Sequence, residues 1–370
     1  MSWFELFYDL VIVAAVAHGS HVLSGGQSVS LGAWLIGTFV VAFVLWFSTS
    51  IAVNIAPGEV PARKTLMFVQ MIAMTIANLS ISRTEGLSDT WGFAGVAVAF
   101  ATVAMIYALL ARTIPALRAA ALVWASSMGA TAVILGFGAL LPSDGGSRPA
   151  AVFAVAMVVA IVPMAVTGIP RLVRGSHTAS EHLAERLGQF VIIVLGESFL
   201  GLVIVLDGFD RIPGPVYFAL SLLVAGALWA VYFTGIFPMG LPGSAGRLEL
   251  WLAGFMVFLV GAAYSASLHA EFAAQDDSAV ADAHPFAPLP AAYVLVGALV
   301  LCWVGGERRV RSFALIHAAA LAALAIAWAG LLLVGQESGQ ALILLGSGTV
   351  IVDGLACLAM QGRSRNPTGD

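Results

Sequence analysis

Charge is what this sequence has least of. Only 10% of its 370 residues are charged, 16 basic and 20 acidic, while 60% are hydrophobic. Soluble domains carry about 25% charged residues, and a chain of this length with so few could not cover itself in water. The deficit excludes an ordinary cytosolic enzyme, a nucleic-acid binder and a disordered chain. Cysteine is scarcer still. Cys302 and Cys357 each sit in an apolar run, so neither a disulfide framework nor a thiolate metal site is indicated. The motifs of soluble chemistry are missing too. There is no Walker A loop, no dinucleotide fingerprint after a strand, no HExxH, no GxSxG and no Asp-rich repeat of the prenyl-diphosphate kind. No cofactor and no metal are implied.

What is present is long uncharged runs. A helix needs about 20 apolar residues to cross the hydrocarbon core. Twelve stretches qualify, at 3–23, 31–55, 65–81, 91–111, 119–141, 150–169, 187–206, 214–237, 248–270, 289–305, 312–334 and 340–360. They run continuously rather than alternating with period two, which excludes a transmembrane β-barrel. The expected fold is all-α, a polytopic bundle of about twelve spans with the lipid bilayer as its first partner. The first span is no cleavable signal, because Glu5 and Asp9 stand where a signal is basic. Between Arg171 and Leu187 the chain is polar, and Ser180 to Leu187 reads as a short interfacial helix capped by Ser180.

The basic residues test the count. With twelve spans, thirteen of the sixteen fall on one side and only Arg83, Arg148 and Arg211 on the other, with none inside a span. The positive-inside rule then puts both termini in the cytoplasm, in a multi-pass inner-membrane protein. Glu5 to Val13 also aligns with Glu185 to Ile193 at an offset of 180 residues. The alignment reads either as a six-plus-six tandem duplication of parallel halves, 1–175 and 176–370, or as chance likeness between two apolar helices.

Ionisable residues inside spans are costly and are functional candidates by default. Glu5 and Asp9 are i,i+4 neighbours on one face. They read either as a protonatable pair or as helix-terminal acids paired with Arg63, Lys64 or Arg186. His18 lies roughly 220° around the helix from Glu5 and cannot share that face. His18 and His21 have i,i+3 spacing, but a lone HxxH is a weak metal signal. Glu197, in Gly196-Glu197-Ser198, is the sharpest candidate. It lies deep in an apolar run and must be protonated, paired or hydrated there. Asp353 follows Gly346 and Gly348 well inside its span. His317 reads as a packing residue.

Two long motifs carry a resemblance. Trp3-Phe-Glu5-Leu-Phe-Tyr-Asp9-Leu-Val, with His21 at the far end of the span, and Glu185-Arg186-Leu-Gly188-Gln-Phe-Val-Ile-Ile-Val-Leu-Gly196-Glu197-Ser198 resemble the two signatures of the bacterial low temperature requirement A (LtrA) family. Arg63 before span three and Tyr107 to Arg112 at the end of span four fit as well. The resemblance implies an integral membrane protein linked by name to growth in the cold. It also implies that Glu5, Asp9, His21, Arg63, Glu185, Arg186, Gly188, Gly196, Glu197 and Ser198 are the family's polar and small positions. Two departures stand out. Members usually carry a basic stretch before the first signature, whereas this sequence begins Met1-Ser2, so its start is short or clipped. Thr234 stands where an acid commonly follows the aromatic pair Tyr232-Phe233.

Three functions fit. The first is a proton-linked transporter or permease of a small solute, with Glu197, Ser198, Asp9, Glu5, His18 and Asp353 on the substrate or proton pathway and Arg63, Glu185 and Arg186 in structural charge pairs. The alternative is a membrane-embedded enzyme acting on a lipid or isoprenoid-like substrate, with Glu197, Asp9, Glu5 or Asp353 as acid or base. The third is a non-catalytic scaffold or sensor.

Overall fold

The structure is a computed structural model. It describes residues 3–24, 29–56, 60–84, 90–141, 147–167, 177–205, 214–242, 244–274, 287–305, 308–334 and 339–365. Among them every regular element is helical. The α-helices are α1 (Trp3–Ser24), α2 (Val29–Ile55), α3 (Pro61–Thr84), α4 (Thr90–Thr113), α5 (Arg118–Gly138), α6 (Ser147–Thr167), α7 (His177–Val205), α8 (Gly214–Ala230), α9 (Ala245–Ala274), α10 (Leu289–Gly305), α11 (Arg308–Leu333) and α12 (Gly339–Arg365). Each overlaps one of the twelve apolar stretches. An apolar run has no water to satisfy its peptide groups, and the helix satisfies them within the segment.

Two differences from the sequence reading have local causes. Ser180 to Leu187 is not a separate interfacial helix; it forms the early turns of α7, which starts at His177. No Gly or Pro interrupts 177–187, so nothing breaks the helix before the apolar run begins. The stretch 214–237 is not one α-helix. After Ala230 the backbone widens into a π-helical segment, Val231–Ile236, and then tightens into a 3₁₀ turn, Phe237–Met239. Pro238 cannot donate to the preceding turn. Gly240 ends the segment at φ 67°, a left-handed conformation that glycine adopts without a Cβ penalty.

Six described segments are long and apolar enough to cross a membrane: Thr90–Thr113, Pro115–Gly138, Phe218–Met239, Gly246–Ser265, Ser312–Leu333 and Ala341–Gln361. Large apolar side chains face outward along them. Val133 is 72% exposed, Leu315 70% and Ile326 75%, which lipid tolerates and water does not. Several apolar helices of this kind support a multi-pass membrane location. Hydroxyls and amides inside the helices bond back to their own backbone, as Thr75 does to Met71, Asn78 to Met74 and Thr349 to Leu345.

The chain divides into two compact units, Met1–Arg186 and Leu187–Asp370, with the boundary inside α7. In the first unit, Gly95 of α4 lies against α3. A Cβ there would stand 2.6 Å from the Ala73 carbonyl oxygen. Tyr107 of α4 stacks on Trp124 of α5 at 5.0 Å and donates to the Ser48 carbonyl of α2. In the second unit, α9 and α10 meet through small residues, and a Cβ at Gly297 would stand 2.5 Å from the Phe258 nitrogen. Such contacts let helices approach backbone to backbone, which is how packing replaces the hydrophobic effect in lipid.

Candidate functional site

In the first unit the polar side chains gather around Asp9. Asp9 and Trp46 are both fully buried, and Arg186 is nearly so. One carboxylate oxygen of Asp9, Oδ1, accepts from Trp46 Nε1 at 2.7 Å and from Arg186 Nη2 at 2.7 Å. The Arg186 guanidinium carbon lies 5.9 Å from the centre of the Trp46 ring, close enough for a cation–π contact. Three helices supply this cluster: α1 Asp9, α2 Trp46 and α7 Arg186. One turn further along α2, Thr49 donates to Gln70 of α3 at 3.2 Å, with both residues buried.

The cluster is incompletely satisfied. Asp9 Oδ2, Arg186 Nε and Nη1, Gln70 Nε2, and the Ser48 and Ser50 hydroxyls have no hydrogen-bond partner among the described residues. A buried ion pair offsets its desolvation only when its remaining lone pairs and protons are also engaged. Arg63 donates to the Ala56 carbonyl at the end of α2 and lies within electrostatic reach of Glu5. Glu5 also acts electrostatically on Asp9. Glu185 stays apart from these groups and forms an exposed i,i+3 pair with His182 at 3.3 Å.

The second unit holds two buried histidine sites. His269 of α9 donates through Nδ1 to the Ser265 carbonyl at 2.6 Å, so its Nε2 accepts from the Ser347 hydroxyl of α12 at 2.7 Å. A shallow cleft lined by Ser265, His269, Ala287 and Ser347 opens beside it, with room for about one water. His317 of α11 and Asp353 of α12 are both fully buried, and Nδ1 lies 2.8 Å from Asp353 Oδ2 and 3.0 Å from Oδ1. Cys357, one turn beyond Asp353, completes a cluster whose ligand atoms all lie within 4.8 Å of one another.

The structure therefore brings Asp9 to Arg186 and Asp353 to His317. His18, Glu197 and Ser198 sit on α1 and α7, but their side chains fall outside the described residues, as does that of His21. Sequence reasoning picked out Gln70 as a polar residue within a span but missed three participants: Trp46, Thr49 and the part played by Cys357. The Ser48-Thr49-Ser50 run in an apolar helix was a signal for the second. Cys357 stands four residues after Asp353 and so shares its helix face, but nothing in the sequence brings His317 to it.

The sequence model for bacterial low temperature requirement A protein matches residues 1–355. The chain belongs to the LtrA family. LtrA membership and the apolar helices together make this a membrane protein, and both motifs that carried the resemblance fall within the match. In the first motif the buried partner of Asp9 is Arg186, a residue of the second motif. No curated protein and no solved structure matches the chain.

Proposed function

We propose that this LtrA protein is a proton-linked transporter of a small, weakly acidic solute, with all twelve helices crossing the cytoplasmic membrane and both termini inside. The half-satisfied Asp9–Arg186 pair carries the reading. A pair serving only to hold helices together would use both carboxylate oxygens and the whole guanidinium fork. Here one oxygen takes both donors, and two Arg186 nitrogens have no partner among the described residues.

A carboxylate solute meets a guanidinium with spare donors, and protonation of Asp9 frees Arg186 to bind it. The Trp46 ring and the spare Gln70 amide are the apolar and polar groups on α2 and α3 that such an acid would contact. Glu197 is the second protonatable carboxylate, on the helix that carries Arg186, and Ser198 is its neighbour. The duplication of six-helix halves, 1–175 and 176–370, belongs to the same reading, since paired halves are a common transporter plan.

The test is uptake into proteoliposomes loaded with a pH-sensitive dye, using a panel of small carboxylic acids with and without an inward acid gradient. Gradient-driven uptake of at least one acid is expected, falling at least tenfold in Asp9→Asn and in Glu197→Gln. Wild type indistinguishable from empty liposomes across the panel, or variants that keep the full gradient response, would overturn the proposal.

A further inference from the structure

The buried triad of the second unit has a composition that transport does not require. His317, Asp353 and Cys357 offer one nitrogen, one oxygen and one sulfur donor from two helices, all fully buried. Two ligands of a tetrahedral ion with bonds of about 2.0–2.3 Å stand about 3.3–3.8 Å apart. The atoms here are spaced from 2.8 Å, for Nδ1 to Oδ2, up to a limit of 4.8 Å. An ion would draw the far atoms together and open the near pair by less than an ångström.

Two further observations point the same way. The thiol is sheltered. Gly235 of the π-helical segment lies over it, and a Cβ there would stand 3.8 Å from Cys357 Sγ and 3.5 Å from the Phe313 ring. A fourth donor lies nearby, since Cys302 of α10 is within electrostatic reach of both Asp353 and Cys357.

We infer that His317, Asp353 and Cys357 form a binding site for a single divalent cation of the zinc class. Hard cations such as magnesium and calcium prefer all-oxygen sites, whereas imidazole with thiolate selects borderline-soft ions. Charge favours it as well. A divalent ion with one carboxylate, one thiolate and a neutral imidazole sums to zero, which is what an apolar interior demands. Binding forms the metal–sulfur bond as the Cys357 thiol gives its proton to solvent. With three protein ligands the ion keeps a fourth position for water or Cys302. The two cysteines read from the sequence as isolated apolar residues. The crossing of α11 and α12 gives one of them its partners. Of the pathway expected from the sequence the site takes Asp353, but it uses neither Asp9 nor Arg186, the pair that carries the transport reading.

The experiment is a cobalt titration of the full chain in detergent after chelator treatment, followed by zinc analysis of the reconstituted protein. A near-ultraviolet thiolate-to-cobalt band and about one zinc per chain are expected. Cys357→Ser should remove the band, His317→Ala should weaken cobalt binding at least tenfold, and Cys302→Ser should keep the band. Each variant is checked for a single size-exclusion peak and unchanged helical circular dichroism. A wild-type chain without the band at saturating cobalt overturns the inference whatever the variants do. So does a band that survives Cys357→Ser.

Discussion

Asp9 shows how much a single residue can disclose. An acid in an apolar run is conspicuous in the sequence, and its partner is a base at similar depth, so Arg63, Lys64 and Arg186 were all in view beforehand. The choice of Arg186 was not legible, because it depends on how α1 and α7 approach. The pairing has an energetic signature. Removing one member of a buried ion pair leaves a bare charge and costs about 3–5 kcal/mol, whereas removing both costs less. Arg186→Gln should therefore lower thermal stability in detergent strongly, and Asp9→Asn combined with Arg186→Gln should recover much of the loss. A double variant as unstable as the sum of the single ones would mean that Asp9 and Arg186 do not interact. The triad behaves differently under sequence reading. Asp353 and Cys357 share a face by arithmetic, but His317 sits 36 residues away on another helix and joins them only through packing.

At the scale of the element, hydropathy was the legible quantity. Continuous apolar runs located the twelve α-helices of the described residues, because a run without polar breaks has no alternative to the helix in lipid. The ends were less legible. α7 reaches ten residues ahead of its apolar run, since a polar sequence without Gly or Pro also supports a helix. The π-helical segment was invisible, because Tyr232 and Phe233 are ordinary helix residues by propensity. Its packing, with Tyr232 tilted against Phe255 and Phe258 of α9, exists only once that segment and α9 meet. The small-residue seams make the clearest element-level prediction. At Gly297 an added methyl meets Phe258 backbone atoms, which cannot swing aside, so Gly297→Ala should destabilise the α9–α10 pair by about 1–3 kcal/mol. At Gly330 of α11 an added methyl meets nothing within 4 Å, and Gly330→Ala should be neutral or stabilise by up to about 1 kcal/mol. Opposite signs in a thermal denaturation series check the seam, and equal effects would refute it.

For the whole molecule, the scarcity of charge becomes a statement about direction. Sixteen bases are too few to solubilise 370 residues, but they suffice to orient them. None lies inside an expected span, and thirteen collect on the side shared by both termini when twelve helices cross. Removing one helix from the count would mix the two sets. The acids work the other way, with Asp276, Asp277 and Asp282 in the loop of 271–288 that falls on the side with three bases. Since the positive-inside rule counts Lys and Arg and hardly counts Asp and Glu, those acids neither set nor oppose the orientation, and Lys64 and the arginines must carry it. Green fluorescent protein fused after Asp370 should therefore fluoresce in a bacterial host, because it matures in the cytoplasm. Alkaline phosphatase fused after Asp282 should be active, because it needs the oxidising periplasm. A dark terminal fusion together with an inactive phosphatase would invert the topology. A bright terminal fusion with an inactive phosphatase would mean that fewer than nine of the first nine helices cross in alternation, and the twelve-span count would fall with it.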